Sequence, residues 1–147
     1  MRANISLMCG ENSNIKNKYI QYIKDKNIQY RIVSYDSKAL ELYDTLKLTK
    51  AKRERVIRQC ILDVEKYLLE GQNIFIDIPL LTKKDRISFL YNRRKMMREN
   101  ELKCWCSLIL FSIDGVEIPE ANEGWNDILI YKNNNFQTIS CHSKLIM

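Results

Sequence analysis

The sequence predicts an α/β fold in which a mostly parallel five-stranded sheet carries helices on both of its faces. Short apolar runs alternate along the chain with longer segments in which apolar residues recur every three or four positions, and this alternation is typical of parallel sheets built from strand–helix–strand units. No internal repeat or long linker interrupts the pattern, and only two prolines are present. The 147 residues are therefore expected to form a single α/β domain.

The first half of the sequence supplies two predicted strands and three predicted helices. The third helix has the clearest signal, because apolar residues recur at helical spacing from Val56 to Leu68 and Gly71 ends the helix. A run rich in β-branched residues ends at Tyr35 and Asp36, which places an acid at the carboxyl end of the second strand. The predicted elements are a strand at 4–9, a helix at 15–26, a strand at 30–34, a short helix at 37–48 and a helix at 49–70.

The second half adds three predicted strands and one helix. A compact apolar run ends at Asp77, and Pro79 prevents that strand from extending further. Thr82 is the expected N-cap of a helix that runs to Asn100. The residues predicted to face inward on this helix are Ile87, Leu90, Tyr91 and Met97. The remaining predictions are strands at 102–111 and 128–131, a turn at Asp114 and Gly115, a loop at 133–135, and a tail at 136–147 that is compatible with an edge strand.

The charge of the chain favours anionic partners. Lys and Arg outnumber Asp and Glu by 24 to 18, which gives a net charge of +6 and a pI near 9.1. This balance is typical of proteins that bind nucleic acid or an acidic protein surface. No apolar run reaches the length of a membrane-spanning helix and no signal peptide precedes the first strand, so we expect no membrane partner and a cytoplasmic location.

The five cysteines are interpreted as reduced thiols without a metal. Their number is odd and several lie inside apolar runs, which indicates a reducing compartment. Cys104 and Cys106 would share one side of a strand, but zinc sites prefer C-x2-4-C pairs together with a second pair of ligands. Cys141 and His142 are adjacent near the end of the sequence and give no stronger signal. We therefore expect neither a metal site nor a Cys/His catalytic pair.

Residues 5–22 combine an apolar run, a glycine and a helical segment in the order strand, loop, helix. Phosphate-binding loops of this layout follow the pattern G-x-x-x-x-G-K-[ST]. Gly10 and Lys16 occupy the first glycine and the lysine of that pattern, whereas Ile15 and Asn17 stand at the second glycine and at the hydroxyl position. The phosphate-loop pattern is therefore only partly present.

Four stretches of the sequence carry a resemblance to a known family. They are residues 7–10 (LMCG), 32–36 (IVSYD), 70–86 (EGQNIFIDIPLLTKKDR) and 119–130 (PEANEGWNDILI). In this order they resemble the P-loop kinases of the polynucleotide kinase and zeta-toxin-like branch. The resemblance implies a three-layer P-loop NTPase-like fold and, for an active enzyme, ATP or GTP with Mg²⁺ as cofactors.

The resemblance also implies roles for individual residues. The nucleotide would be bound by Gly10, Ser13, Lys16 and Asn17. Asp36 would be the catalytic base that takes the proton from the acceptor hydroxyl, and Asp77 would order the substrate or the metal ion. The alternative for both aspartates is that each ends a strand and caps the following segment, a common use of this residue.

Three departures from the family pattern affect the same chemistry. Ser13 and Ile15 replace glycines of the loop, and Asn17 replaces the hydroxyl that would hold Mg²⁺. Ile-Pro-Leu follows Asp77 where the family has polar residues, and the lid helix expected between 111 and 119 is missing. Phosphoryl transfer depends almost entirely on positioning and charge neutralisation. We therefore expect a pseudokinase that has lost catalysis and uses no cofactor.

Two basic runs are the predicted binding surface of this pseudokinase. Contact with the phosphate backbone of nucleic acid or with an acidic protein surface is the functional interpretation, and a solvated helical face is the alternative. The binding residues are predicted to be Arg53, Arg55 and Arg58 in the first run and Lys83, Lys84, Arg86, Arg93, Arg94 and Arg98 in the second. The first run also contains Lys47, Lys50 and Lys52, and the second contains Lys95.

Two other functions remain open. One is an active phosphotransferase that uses Lys16 for the nucleotide and Asp36 as base. The other is a structural subunit or inhibitor that docks on a protein through exposed aromatic residues such as Trp125 and Tyr131. The composition, rich in Asn, Lys and Ile, is typical of a low-GC phage or its host, so a phage protein that acts on a host factor in the host cytoplasm is a further expectation.

Overall fold

The computed structural model describes residues 2–10, 13–26, 29–111, 116–132 and 135–139. A six-stranded sheet forms the middle layer, in the spatial order β2-β3-β1-β4-β5-β6. The first five strands are parallel to their neighbours, and β6 runs antiparallel to β5. The strands are β1 (Arg2–Cys9), β2 (Arg31–Ser34), β3 (Ile74–Asp77), β4 (Lys103–Leu110), β5 (Asp127–Lys132) and β6 (Asn135–Ile139).

Four helices and one short 3₁₀ turn connect these strands. Thr49 and Thr82 cap the two long helices, since their hydroxyls accept hydrogen bonds from the backbone N–H groups of Lys52 and Asp85. Gly71 follows the first of these helices with a φ of 73°, a left-handed value that glycine adopts without strain. The helices are α1 (Ser13–Asp25), α2 (Tyr35–Tyr43), α3 (Lys50–Leu69) and α4 (Lys83–Glu99), and the 3₁₀ turn is Ala121–Glu123.

The helices cover the two faces of the sheet unequally. Side chains of α1 pack with Met8, Ile109 and Phe111 on one face, in a small apolar cluster. The larger core lies on the other face, where α2, α3 and α4 bury residues such as Ala39, Val64 and Leu90 against the strands. Side chains alternate between the faces of a strand, so Met8 joins the small cluster whereas its neighbours Leu7 and Cys9 join the large core. The result is a three-layer α/β arrangement.

The predicted fold class is confirmed, with several corrections. The sheet has six strands rather than five, and Asn135, predicted to lie in a loop, begins β6. Ile87 and Tyr91 were predicted to face inward, but they are 38% and 60% exposed. The helix instead turns Arg86, Phe89 and Arg93 inward along with Leu90 and Met97. The predicted turn at residues 114–115 and the tail beyond 139 lie outside the described residues.

A buried ion pair joins the start of α4 to the chain that leads into β5. Arg86 and Glu123 have no exposed side-chain surface, and their atoms Nε and Oε1 lie 2.9 Å apart. The same guanidinium donates to the backbone carbonyls of Leu81 and Glu117, while the carboxylate also accepts the indole N–H of Trp125. The charges are therefore removed from water with compensating hydrogen bonds, which is the condition under which a buried pair is tolerated.

We expect Arg86→Met to lower the free energy of unfolding by about 3–5 kcal/mol, because it leaves the Glu123 carboxylate buried without its partner. Urea unfolding followed by circular dichroism measures this loss. The double variant Arg86→Met with Glu123→Leu should recover much of it, since both charges are then absent. Lys95→Ala, which removes the exposed pair with Glu99, is the control and should change stability by no more than about 0.5 kcal/mol. A loss of stability for Arg86→Met as small as that expected for Lys95→Ala would contradict the stabilising role of the Arg86–Glu123 pair.

The same pair predicts a loss of stability in acid. Burial raises the pKa of Glu123, but hydrogen bonds from Arg86, the Glu120 N–H and Trp125 outweigh it, so the pKa lies below its ordinary value of 4.5. A carboxylate with a lowered pKa stabilises the fold above its unfolded-state pKa and stops doing so as the pH falls through the folded value. Unfolding measured from pH 7 to pH 3 should show this loss in the native chain and a smaller loss in the double variant.

Candidate functional site

The carboxyl edge of the sheet brings together the ends of three neighbouring strands. Gly10 follows β1, Asp77 is the last residue of β3, and Asp36 lies two residues beyond the end of β2. The order β2-β3-β1 makes these strand ends adjacent, and this edge is where open α/β sheets bind ligands. The fold therefore places these three residues at one edge of the sheet, as the sequence predicted.

The described residues after β1, Gly10 and the helical turn from Ser13 to Lys16, do not follow the conformation of a phosphate loop. Gly10 keeps a left-handed φ of 94°, but α1 begins at Ser13, so Lys16 is the fourth residue of the helix. In the pattern G-x-x-x-x-G-K, the residues before the lysine must leave their backbone N–H groups free to surround phosphate. Here three of those positions form the first turn of α1. The N–H groups of a first helical turn have no intrahelical partner, so the difference from the pattern is the loss of the wrapping loop conformation and not the loss of free N–H groups. Ile15 also packs against the small cluster of Met8, Ile109 and Phe111, which holds this first turn on the sheet.

Lys16 contacts Asp77 at the same edge. Its Nζ atom lies 2.9 Å from Oδ1 of Asp77, and the two side chains are 15% and 33% exposed. The lysine that would neutralise a terminal phosphate is therefore paired with a carboxylate of the protein. Asn17, at the position of the metal-binding hydroxyl, is exposed on the helix.

Asp36 lies in the first turn of α2 and is exposed. Ser34 caps this helix through a hydrogen bond from the Ser37 N–H to its hydroxyl. An acid in the first turn of a helix interacts favourably with the partial positive charge of the helix N-terminus. This position matches the alternative in which Asp36 stabilises the segment after a strand.

Three arginines of the second basic run are structural, which corrects their predicted role on a binding surface. Arg86 is fully buried with Glu123. Arg93 is 7% exposed, lies over the ring of Phe89 and pairs with Glu65 at 3.4 Å. Arg94 donates to the carbonyl of Gly124 and to Oδ1 of Asn126. The charge of a long side chain does not reveal whether it points outward. Here Arg86 and Arg93 lie on the buried stripe of α4, and Arg94 is partly buried beside it.

The remaining cations of this run do not form one surface. Lys83 pairs with Glu120 at 3.0 Å. Lys84 is exposed in the first turn of α4, at the carboxyl edge of the sheet, whereas Arg98 is exposed in the last turn, at the opposite edge. The exposed cations of α4 therefore do not form a continuous stripe that could bind a polyanion.

The first basic run is exposed around the first half of α3, and we name it the α3 basic cluster. Its members, all exposed, are Lys47, Lys50, Lys52, Arg53, Arg55 and Arg58. Tyr43 lies at its centre: Lys52 and Arg55 approach the ring to 5.1 and 5.7 Å, and Arg55 also donates to the phenol oxygen. Glu54 is the sole acid between 47 and 58, and the first turn of α3 contains none.

The position of the α3 basic cluster follows from the topology. The chain leaves β2 at the carboxyl edge and enters β3 at the opposite edge, so α3 runs away from the carboxyl edge. Cys60 contacts the carbonyl of Ser34, the last residue of β2, through its thiol. The preceding ten residues of α3, about 15 Å of helix, therefore lie on the carboxyl-edge side of this contact and extend beyond the end of β2.

The aromatic residues predicted to be exposed have different surroundings. Trp125 is fully buried and donates to Glu123, so it cannot dock on a partner. Tyr131 is half-buried and lines a groove of about 400 Å³ beside α1, together with Ile15, Lys18, Tyr19 and Tyr22. A tryptophan in a segment without a helical or alternating pattern gave no signal of its burial.

Glu123 and Asn126 were not predicted as important residues. Glu123 neutralises Arg86, and Oδ1 of Asn126 accepts from both Arg94 and the backbone N–H of Cys106. Their only sequence signal was the stretch EGWN, noted as part of the resemblance. No group of three or more His, Cys, Asp or Glu side chains suited to a metal ion occurs in the described part of the chain. Within the same ranges, no helix combines the length and apolarity needed to cross a membrane.

Comparison with known proteins identifies the fold. No protein-family model and no curated protein matches the sequence. The structure is similar to APS kinase CysC of Mycobacterium tuberculosis, with a TM-score of 0.57, 11% identity, and coverage of 87% of this chain and 85% of that chain. It is also similar to the PezAT chromosomal toxin–antitoxin system of Streptococcus pneumoniae, with a TM-score of 0.57, 12% identity, and coverage of 99% and 76%.

The chain has a P-loop kinase-like fold. The basis is the mostly parallel six-stranded sheet flanked by helices, which is similar to the two solved structures at a TM-score of 0.57. Identities of 11% and 12% carry no information about activity. The polynucleotide kinase branch therefore stays a prediction from the sequence.

We expect hydrogen exchange to detect the helical first turn of α1 without any nucleotide. The amides of Asn17 and Lys18 donate to the carbonyls of Ser13 and Asn14 in a helix that begins at Ser13, so they should exchange slowly. Ile15→Gly should lower their protection by about 0.5 kcal/mol through helix propensity, and by more through the loss of the packing of Ile15 on the sheet. Asn14→Ala, an exposed change in the same turn, should leave it intact. Fast exchange at Asn17 that slows when Mg-ATP is added would indicate a nucleotide loop instead.

Proposed function

We propose that this protein is a pseudokinase that binds nucleic acid through the α3 basic cluster. The observation that carries the loss of catalysis is the start of α1 at Ser13, which incorporates the phosphate-loop positions into a helix. The pairing of Lys16 with Asp77 supports the same conclusion, because it occupies the cation that would meet the phosphates. Phosphoryl transfer is catalysed almost entirely by positioning and charge neutralisation. The helical loop positions affect the first factor, and the pairing of Lys16 with Asp77 affects the second.

The distribution of charge supports a polyanionic partner. Cations at a helix N-terminus oppose the helix dipole, at a cost of about 0.3–1 kcal/mol each, yet α3 starts with Lys50, Lys52 and Arg53 and no acid. A phosphate backbone supplies the missing negative charge, and each neutralised phosphate releases counterions. Tyr43 adds an aromatic ring between two of the cations. Single-stranded nucleic acids favour surfaces of this composition.

The cellular setting is part of the proposal. Cys9, Cys60, Cys104 and Cys106 are free thiols, which is compatible with a reducing cytoplasm. The composition supports a phage protein that acts in the host cytoplasm. A host nucleic acid or the acidic surface of a host factor would then be the partner.

An active phosphotransferase is the second candidate, favoured by the position of Gly10, Asp36 and Asp77 at the carboxyl edge of the sheet, where open α/β folds bind ligands. Isothermal calorimetry separates the two functions. We expect no heat of binding for ATP or GTP with Mg²⁺ at millimolar nucleotide concentration. Binding that disappears in Lys16→Ala and persists in Lys84→Ala, an exposed lysine near the same edge, would support the enzyme and overturn the pseudokinase.

Nucleic-acid binding is tested by fluorescence anisotropy with a labelled single-stranded oligonucleotide over a series of salt concentrations. We expect affinity to fall with salt, and Lys50→Ala with Lys52→Ala to reduce the slope of log K against log salt by about 0.7 for each phosphate that the variant no longer neutralises. The control is Lys24→Ala with Lys103→Ala, which removes the same charge from exposed positions at the opposite edge.

Two outcomes would contradict this binding mode. Equal effects of the two double variants would mean that net charge, rather than the α3 basic cluster, attracts the oligonucleotide. An absence of affinity at low salt would exclude nucleic acid and leave an acidic protein surface as the partner of the cluster.

A further inference from the structure

One face of the sheet is only partly covered by the described helices. Among the α-helices in the described ranges, α1 alone packs on this face. The ring of Tyr19 lies 6.1 Å from that of Phe75 on β3 and 5.7 Å from that of Phe111 after β4, so the helix lies over β1 between them. Parallel strands are normally covered on both faces, usually by helices. On this face, β5 and β6 have no described helix over them.

The uncovered region includes a groove of about 400 Å³ between α1 and β5. Side chains alternate along a strand, so Tyr131 projects on the same side as Leu129, which packs against the small cluster under α1. Thr138 of β6 pairs with Leu129, lies on this side as well and is exposed. The residues that line the groove are Ile15, Lys18, Tyr19, Tyr22 and Tyr131.

The groove has aromatic walls and a cationic rim. The side chain of Tyr22 is 57% exposed, although a ring of this size contributes most when it is buried. Lys18 lines the groove, and Nζ of Lys26 lies 5.3 Å from the centre of the Tyr22 ring. Between residues 13 and 26 the sequence has four lysines against one acid, Asp25. Tyrosine rings are enriched at protein interfaces, and these cations favour an acidic partner.

The spacing of the cations fits a second helix that lies beside α1. Lys18 and Lys26 are eight residues apart and on the groove side of α1, which separates them by about 12 Å along the helix axis. Acidic residues seven or eight positions apart on another helix have a similar spacing, with apolar residues between them. A phosphate backbone carries one charge per about 3.4 Å of each strand, which is much closer than these two cations.

We propose that this groove binds an amphipathic helix of a partner protein. Apolar side chains of that helix pack on the tyrosine rings, and its acidic residues contact Lys18 and Lys26. The helix then supplies the cover that the parallel strand β5 lacks in the described part of the chain. This docking site is separate from the α3 basic cluster, because α3 packs on the other face of the sheet.

Selection from a displayed library of helical peptides, with the full chain as bait, tests this site. The library keeps apolar residues at helical spacing and randomises the positions beside them, and we expect selected peptides to carry Asp or Glu there. Binding of one selected, fluorescently labelled peptide is then measured by anisotropy. Tyr22→Ala should weaken it by more than about 10-fold, the effect of an interface hot spot. Lys18→Glu should weaken it by about 10-fold, because it repels the acids of the peptide.

Matched variants separate the groove from the rest of the surface. Tyr91→Ala removes a tyrosine that is 60% exposed on α4, and Lys24→Glu reverses an exposed charge on the opposite side of α1. Lys50→Ala with Lys52→Ala removes charge from the α3 basic cluster. All three should leave the affinity for the peptide unchanged. Circular dichroism of Tyr22→Ala establishes that the fold persists.

Several results would overturn the proposal. They include a failure to enrich any peptide, a peptide that binds Tyr22→Ala as tightly as the native chain, and one that instead loses affinity in Lys50→Ala with Lys52→Ala. Weaker oligonucleotide binding by Tyr22→Ala would assign the groove to nucleic-acid bases. A dimer that sedimentation detects in the native chain but not in Tyr22→Ala would assign it to a second copy. Tighter peptide binding by Leu145→Asp with Ile146→Asp would assign it to residues 140–147 of the same chain.

Discussion

The buried pair of Arg86 and Glu123 fixes the geometry of the carboxyl half of the chain. Three nitrogen atoms of the guanidinium donate, to Glu123 and to the carbonyls of Leu81 and Glu117. The carboxylate in turn accepts from Arg86, from Trp125 and from the Glu120 N–H. Two charges taken out of water are costly unless such bonds replace their hydration. Here the replacement links the start of α4, the segment after residue 116 and the 3₁₀ turn into one unit.

The position of this unit determines where the turn at Gly124 lies, and contacts of that turn reach β4. The turn at Gly124 has a φ of 104°, and a side chain there would press on Arg94. Arg94 and Asn126 connect the turn to β4 through the Cys106 N–H. The basic residues of the chain therefore divide into two groups with different tasks. Arginines of α4 hold the interior together, and those of α3 remain at the surface, where they impose an electrostatic field on the solvent.

The sequence predicted the elements better than it predicted the environment of individual side chains. Strands β1 to β5 were recognisable as short apolar runs, and the long helices by apolar residues that recur every three or four positions. The Thr82 cap was recognisable because its hydroxyl serves a local need. Arg86, Arg93 and Ile87 were misassigned because α4 places charge inside and apolar surface outside. Such an inversion depends on Glu65 and Glu123, which lie far away in sequence. Pairing of this kind is invisible to a local pattern.

For the candidate site, too, the positions of the residues were predicted but their contacts were not. The strand ends placed Gly10, Asp36 and Asp77 at one edge, as topology requires. The contact between Lys16 and Asp77 was not predicted, since it spans 61 positions. The extension of α1 to Ser13 was also missed, because Ser13 and Asn14 are equally suited to a loop, and only the packing of Ile15 on the sheet decides between the two states.

That packing has an evolutionary consequence. Ile15 serves the interior at the position where a nucleotide-binding loop needs glycine, so a single reversion would remove apolar packing and weaken the helix before any phosphate site existed. A chain that regained the loop would also have to separate Lys16 from Asp77 and supply a metal-binding hydroxyl at Asn17. Each step alone lowers stability or leaves activity unchanged. Under the proposed loss of catalysis, the first turn of α1 therefore opposes a return to activity by successive point mutations.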